Sequence, residues 1–155
     1  MRIFFLSLVF LLFSLLGILK AMREKRRLLL LSELERLLLY MKEGICIYKK
    51  ELAQIYLEFE SDILDGCGFS EHLGDGGFCD GVASLGLDGE SRAHLLEFGR
   101  TLGCLCAEEQ ASALERCIEK HRLILAKKTQ EYPSKRRLYI GLGLMLGAII
   151  FIIGI

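Results

Sequence analysis

The sequence predicts an all-α protein with two terminal transmembrane helices flanking a cytoplasmic helical bundle built on a long antiparallel helix hairpin. Three observations predict it. Two charge-free apolar runs, residues 3–19 and 138–155, occupy the ends of the chain. Apolar residues recur at three-four spacing over the long stretches that adjoin each run, the mark of helices with one buried face. All 20 acidic residues, and every basic residue except Arg2, lie between the two runs. The averages of 52% hydrophobic residues and zero net charge therefore describe no part of the 155-residue chain. Its length leaves room for one folded domain of about a hundred residues. The expected division is a first membrane helix at 1–22, a helical domain at 23–132 and a second membrane helix at 133–155.

The first run, 17 residues long, covers about 25 Å as a helix, and the second, 18 residues long, about 27 Å. Both fall slightly short of a bilayer core of about 30 Å. Ala21 and Met22 extend the first while Lys20 snorkels; Tyr139 gives the second an interfacial start beside Lys135, Arg136 and Arg137. A cleaved signal peptide is the alternative for the first run, but the sequence from Gly17 to Ala21 offers no small-x-small cleavage site. Lys20, Arg23, Lys25, Arg26 and Arg27 follow the first run, and Lys127, Lys128, Lys135, Arg136 and Arg137 precede the second. The positive-inside bias puts the middle domain in the cytoplasm, with both termini across the membrane, and the same basic flanks suit anionic lipid headgroups.

After the first run neither Pro nor Gly occurs until Gly44, and Leu31, Leu34, Leu38 and Met41 trace one face of a long helix. Ser32 and Glu35 have capping-box spacing, which allows a break near Leu31. A second helix is expected at 49–61, with Leu52, Ile55, Tyr56 and Phe59 on one face. Residues 65–89 hold eight of the sixteen glycines, so only short helices fit, one carrying Phe78, Val82 and Leu85. Asp88 reads as the N-cap of the next helix, with Glu90 in its first turn, Leu95, Leu96 and Leu102 inward and Gly103 at its end. Ala111, Leu114, Ile118, His121 and Leu125 then form a coiled-coil seam on a last long helix, with a kink or break expected at Pro133.

Charge separates along this hairpin. Residues 51–97 contain eleven acidic residues and one basic residue, Arg92. That acidic distal half suits a basic protein partner and disfavours nucleic acid. Glu58, Glu60, Asp62 and Asp65 are the candidate docking carboxylates. Gly143 and Gly147, spaced as G-x-x-x-G, allow close helix packing against the first segment or another protein.

The chemistry-bearing residues point away from an enzyme. Cys104 and Cys106 form one close pair that Cys67, His72 and Cys79 could join in a metal site, but tetrahedral zinc motifs usually bring two close pairs. The C-x-C spacing differs from the C-x-x-C of redox centres. No nucleophile triad, HExxH or P-loop signature is present, so no catalytic residue, metal or cofactor is expected. Six cysteines without framework spacing fit a reducing cytoplasm.

Phe98-Gly99-Arg100-Thr101-Leu102-Gly103, followed by Gln110, a long charged helix ending in Lys135-Arg136-Arg137-Leu138-Tyr139 and a Gly-rich apolar segment, resembles the stage III sporulation protein AB family. The likeness is close from about residue 97 onward and architectural before residue 43. Where the family commonly carries a Ser-Asp pair that caps the following helix, this sequence has Leu105 and Cys106, so capping is expected from a backbone turn or from a start nearer Glu108 and Glu109. The resemblance implies a subunit of the assembly that links mother cell and forespore in endospore formation. It implies a soluble domain similar to the cytoplasmic domains of type II secretion and type IV pilus platform proteins, and a location in the mother-cell membrane around the forespore. Its implied partners are a cytoplasmic secretion-type ATPase and other channel membrane subunits. Arg100, Thr101, Leu102, Gly103 and Gln110 are the candidate partner-contact or structural corner this motif singles out, with pairing of Arg100 to Glu97 or Glu108 as the internal alternative. The alternatives are a thiol- or metal-dependent membrane protein and a two-pass adaptor outside sporulation.

Overall fold

A computed structural model of the chain describes the backbone of residues 2–154 and the side chains outside residues 1–6, 74–76, 107, 151 and 153–155. Seven helices follow in order: α1 (Arg2–Cys46), α2 (Leu52–Glu58), α3 (Asp62–Asp65), α4 (Phe69–Gly76), α5 (Phe78–Ser84), α6 (Gly89–Gly99) and α7 (Ala107–Gly154). The all-helical fold class holds: no strand occurs among the described residues. The chain forms two compact units, one made of Met1–Leu28 with Lys127–Ile155 and the other of Leu29–Ala126.

In the first unit the start of α1 and the end of α7 lie antiparallel, and glycines set their approach. A Cβ on Gly17 would stand 2.7 Å from the Tyr139 carbonyl oxygen, and one on Gly143 would stand 2.8 Å from the carbonyl oxygen of Phe13. A Cβ on Gly147 would meet the Phe10 ring at 2.8 Å. Gly143 and Gly147 thus face the first segment, with no room for a side chain. Lys20 caps this contact by placing its ammonium 4.8 Å from the centre of the Tyr139 ring.

Among the described residues no helix is long and apolar enough to cross a membrane. The expected transmembrane helices at 1–22 and 133–155 therefore find no support there. The reason is length: the described side chains of the apolar runs cover 7–19 and 138–150, bounded by Lys20 and Arg137, against about 20 residues for a span. Of the rest, the side chains of residues 3–6, 151 and 153–155 lie outside the described residues. Of the kink or break expected at Pro133, the break does not occur: α7 runs through it, and the exposed proline removes one backbone donor from the helix interior. Nor does Ser32 restart α1.

The second unit contains the core. Leu34, Leu38 and Met41 of α1 share one cluster with Leu114 and Ile118 of α7, and Ile55, Leu64, Phe69, Phe78, Val82, Leu85, Leu95 and Phe98 bring the short helices onto it. Phe78 meets the Phe98 and Phe69 rings edge-on, with centroids 5.9 and 6.3 Å away. Two ion pairs confirm that α1 and α7 are antiparallel here too: Lys42 with Glu115 at 2.7 Å and Arg122 with Glu35 at 2.7 Å.

The helix expected at 49–61 is shorter. Lys49 takes a positive φ of 50°, α2 begins at Leu52, and Phe59 is extended. Ser61 then caps α3 by accepting from the Leu64 N–H, so the chain turns where a continuous helix was expected. The Asp88 cap is present, its carboxylate accepting from the Ser91 N–H and from the Ser91 hydroxyl at 2.9 Å. The helix it starts ends at Gly99 rather than Gly103. Glu108 and Glu109 occupy the first turn of α7, where carboxylates complement the helix dipole.

Leu34 is fully enclosed, whereas Leu57 is 86% exposed. Leu34→Ala should cost about 2–5 kcal/mol of stability, and Leu57→Ala no more than about 0.5 kcal/mol. Chemical denaturation of the intact chain followed by circular dichroism measures both, and equal losses would contradict this assignment of the core.

Candidate functional site

The corner flagged by the sequence is a capped reversal between α6 and α7. Thr101 closes α6 twice over, its N–H and its hydroxyl both donating to the Phe98 carbonyl at 2.9 and 2.7 Å. The Leu102 N–H reaches the Gly99 carbonyl at 3.3 Å, while the Leu102 side chain packs against the core. Gly103 then takes a φ of 77°, a left-handed conformation that disfavours any other residue. The Gln110 N–H bonds to the Cys106 carbonyl at 2.8 Å in the first turn of α7, and its side chain is buried. Thr101, Leu102, Gly103 and Gln110 are accordingly structural in this geometry. Arg100 is exposed and forms no ion pair among the described residues; Glu97 instead pairs with Lys120 at 3.6 Å.

Beneath this corner lies a buried imidazole and thiol group. His121 donates from Nε2 to the Leu31 carbonyl at 2.8 Å, which leaves Nδ1 enclosed with no partner. His94 stacks on His121 with ring centres 6.2 Å apart and donates from Nε2 to the Cys117 carbonyl at 3.2 Å. The Cys117 sulfur is 3.7 Å from that same nitrogen, which is already committed as a donor. A thiolate–imidazolium pair is therefore not assembled, and burial pushes the Cys117 thiol up to about 12. Burial lowers the His94 pKa, as do Lys120 and His121 beside it, while the Cys117 carbonyl and Glu97 act weakly against this. Burial likewise lowers that of His121, against the Leu31 carbonyl and Glu35. Among the described residues no group of three His, Cys, Asp or Glu side chains is placed to hold a metal.

The four flagged carboxylates divide. Glu58 is held by Lys50, by the Tyr40 hydroxyl at 3.1 Å and by the Gln54 amide at 3.0 Å, which together keep its carboxyl below the usual range. Asp65 accepts from the Ser70 hydroxyl. Glu60 and Asp62 are exposed; Arg36 contacts only the carbonyl of Glu60, at 2.7 Å, and pairs with Glu33 at 3.0 Å.

Sequence reasoning missed what lies between them. Tyr56, Leu57, Phe59, Ala53 and Leu73 line an open groove of about 730 Å³ whose rim carries Glu60, Asp65 and Ser70. The available signal was Leu57, an apolar residue off the stripe formed by Leu52, Ile55, Tyr56 and Phe59.

The sequence profile of stage III sporulation protein AB matches residues 78–155. The chain belongs to this family. Membership ties it to stage III of sporulation, and the matched residues run from α5 through the corner to the end of α7. The groove, apart from this family signature, is formed by residues 53–77. Neither the curated proteins nor the solved structures gave a match.

With both imidazoles held below their ordinary value of 6.5, the unfolded chain takes up more protons than the folded one as pH falls through that value. Stability present above it is lost on acidification. The denaturation midpoint should fall between about pH 7.5 and about pH 5.5, and fall less in His94→Gln. A midpoint independent of pH would contradict the neutral, buried imidazoles.

Proposed function

We propose that the chain is a non-enzymatic membrane platform subunit of the channel between mother cell and forespore, anchored by the two apolar runs and presenting its Leu29–Ala126 body to the cytoplasm. The observation that carries this reading is where apolar surface is left uncovered. Among the described residues, 15 of the 22 exposed large hydrophobic side chains lie in the Met1–Leu28 and Lys127–Ile155 unit. An outer surface of Leu, Ile and Met over a glycine-mediated helix contact suits lipid and is costly in water. Over the full sequence the runs cover residues 3–19 and 138–155, and Ala21 and Met22 extend the first toward the length a span needs.

The basic flanks, Lys20 to Arg27 and Lys127 to Arg137, orient the body toward the cytoplasm and toward anionic headgroups. Its acidic face, carrying Glu58, Glu60, Asp62 and Asp65, is the docking surface for a basic partner. Family resemblance makes that partner a secretion-type ATPase working with the other channel membrane subunits. The arrangement of the buried histidines and Cys117 supports a structural rather than a catalytic role for them.

Deleting the chain should leave engulfment complete and reduce heat-resistant spores by orders of magnitude. The wild-type chain should stay in the membrane pellet through alkaline carbonate extraction. Restoring it with Cys104 and Cys106 both replaced by Ser should restore spores fully. Release into the carbonate supernatant would contradict the anchors, normal spore yield without the chain would contradict the scaffold, and failure of the Cys→Ser chain would favour thiol or metal chemistry.

A further inference from the structure

The groove formed by α2, the turn after it and α4 has three properties that together specify an occupant. Its walls are apolar: Tyr56, Leu57, Phe59 and Leu73, with Leu57 86% exposed, the most exposed large hydrophobic side chain among the described residues. A leucine held this far out beside a groove of about 730 Å³ leaves space for side chains from elsewhere. Its surroundings are acidic: residues 52–77 contain six Asp or Glu and neither Lys nor Arg. The two cations that approach from neighbouring segments are already engaged. Lys50 is bound to Glu58, and Arg36 is shared between Glu33, the Glu60 carbonyl and the Phe59 ring, 4.9 Å away. The carboxylates of Glu60 and Asp62 are left without a cationic partner among the described residues. Finally, Tyr56 is half-buried in the wall, yet its hydroxyl makes no hydrogen bond among the described residues. That hydroxyl is accessible, so a polar atom of a seated segment can take the place of water there.

From this juxtaposition we propose that the groove receives a basic segment of a partner protein, inserting one large apolar side chain between Tyr56, Leu57, Phe59 and Leu73 while flanking Lys or Arg residues meet Glu60, Asp62 and Asp65. The apolar anchor supplies most of the affinity because it is the part that leaves water. The carboxylates set the sign of the partner's charge and speed its encounter. The Tyr56 hydroxyl supplies a hydrogen bond to the backbone or a polar atom of the seated segment. The inference deepens the scaffold reading by naming the place and chemistry of docking, and it rests on that reading for its biological meaning.

The test uses the intact chain in nanodiscs of phosphatidylcholine, a zwitterionic lipid that does not attract a basic probe. The probe is a short fluorescein-labelled peptide with a single Phe flanked by lysines, read by anisotropy against empty discs. Saturable binding is expected, weakened at least about tenfold when the Phe is replaced by Gly or the lysines by glutamates. Leu57→Ala and Glu60→Lys, both at exposed positions, should each weaken it by at least about tenfold with an unchanged circular dichroism spectrum. Binding that survives Leu57→Ala, or a Gly peptide that binds as tightly as the Phe peptide, would overturn the apolar anchor. Equal binding of the glutamate peptide would overturn the charge assignment. A dimer of the wild-type chain that Leu57→Ala dissociates would overturn the partner by showing that a second copy covers the groove. These readings are made on purified protein, so their failure leaves the scaffold reading standing. Normal sporulation without the chain defeats the scaffold reading and leaves the binding intact.

Discussion

The pairing of α1 with α7 inside the Leu29–Ala126 body is the contact on which the rest of that body depends. Leu34, Leu38 and Met41 from one helix close on Leu114 and Ile118 from the other, and the five short segments have no core of their own to fold around. α2, α3 and α5 are 7, 4 and 7 residues long, well below the length at which a helix persists alone in water. Each contributes one or two side chains, such as Ile55, Leu64 and Val82, to a surface that the long helices have already created. His121 sits in the middle of this seam. Its single hydrogen bond to the Leu31 carbonyl fixes which side of α7 faces α1, at the expense of an unpartnered nitrogen. A buried polar group of this kind contributes to register more than to stability.

The two units solve helix pairing differently, and composition explains why. In the body, water drives leucines together and the helices are held apart by full-sized side chains. Where Gly17, Gly143 and Gly147 meet α1 and α7 backbone, the helices are in direct contact and the leucines point outward. The membrane location proposed above accounts for this: in lipid outward leucines carry no cost, and close backbone packing is the interaction that remains between helices. Zero net charge over the whole chain conceals the same division, with basic residues clustered beside the glycine-packed segments and acidic ones on the short helices.

Long-period features were legible in the sequence because they are repeated. The heptad-like spacing from Ala111 to Leu125 and the glycines at 143 and 147 each state a local rule that the fold obeys. Single-residue events were not. The end of α2 at Glu58 depends on Ser61 serving as a cap for the next helix, and the early end of α6 depends on the Thr101 hydroxyl reaching back to Phe98. Neither Ser nor Thr carries a periodic signal. The Arg100 to Gly103 motif was visible as a pattern, but its meaning as a turn came only from the φ of Gly103 and the bonds around Thr101. The groove was hidden because it is assembled from α2 and α4, and its key residue, Leu57, looks like an ordinary surface position until its neighbours are in place.

The antiparallel seam is most directly tested by short bismaleimide cross-linking in the intact chain with its six native cysteines replaced. Cysteine pairs at Lys42 with Glu115 and at Glu35 with Arg122 replace the two ion pairs that fix the helix direction. Both should give rapid intramolecular cross-links, while the exchanged pairs, Lys42 with Arg122 and Glu35 with Glu115, should not. Preferential cross-linking of the exchanged pairs, or none in any of the four, would contradict the arrangement from which the rest of the account follows.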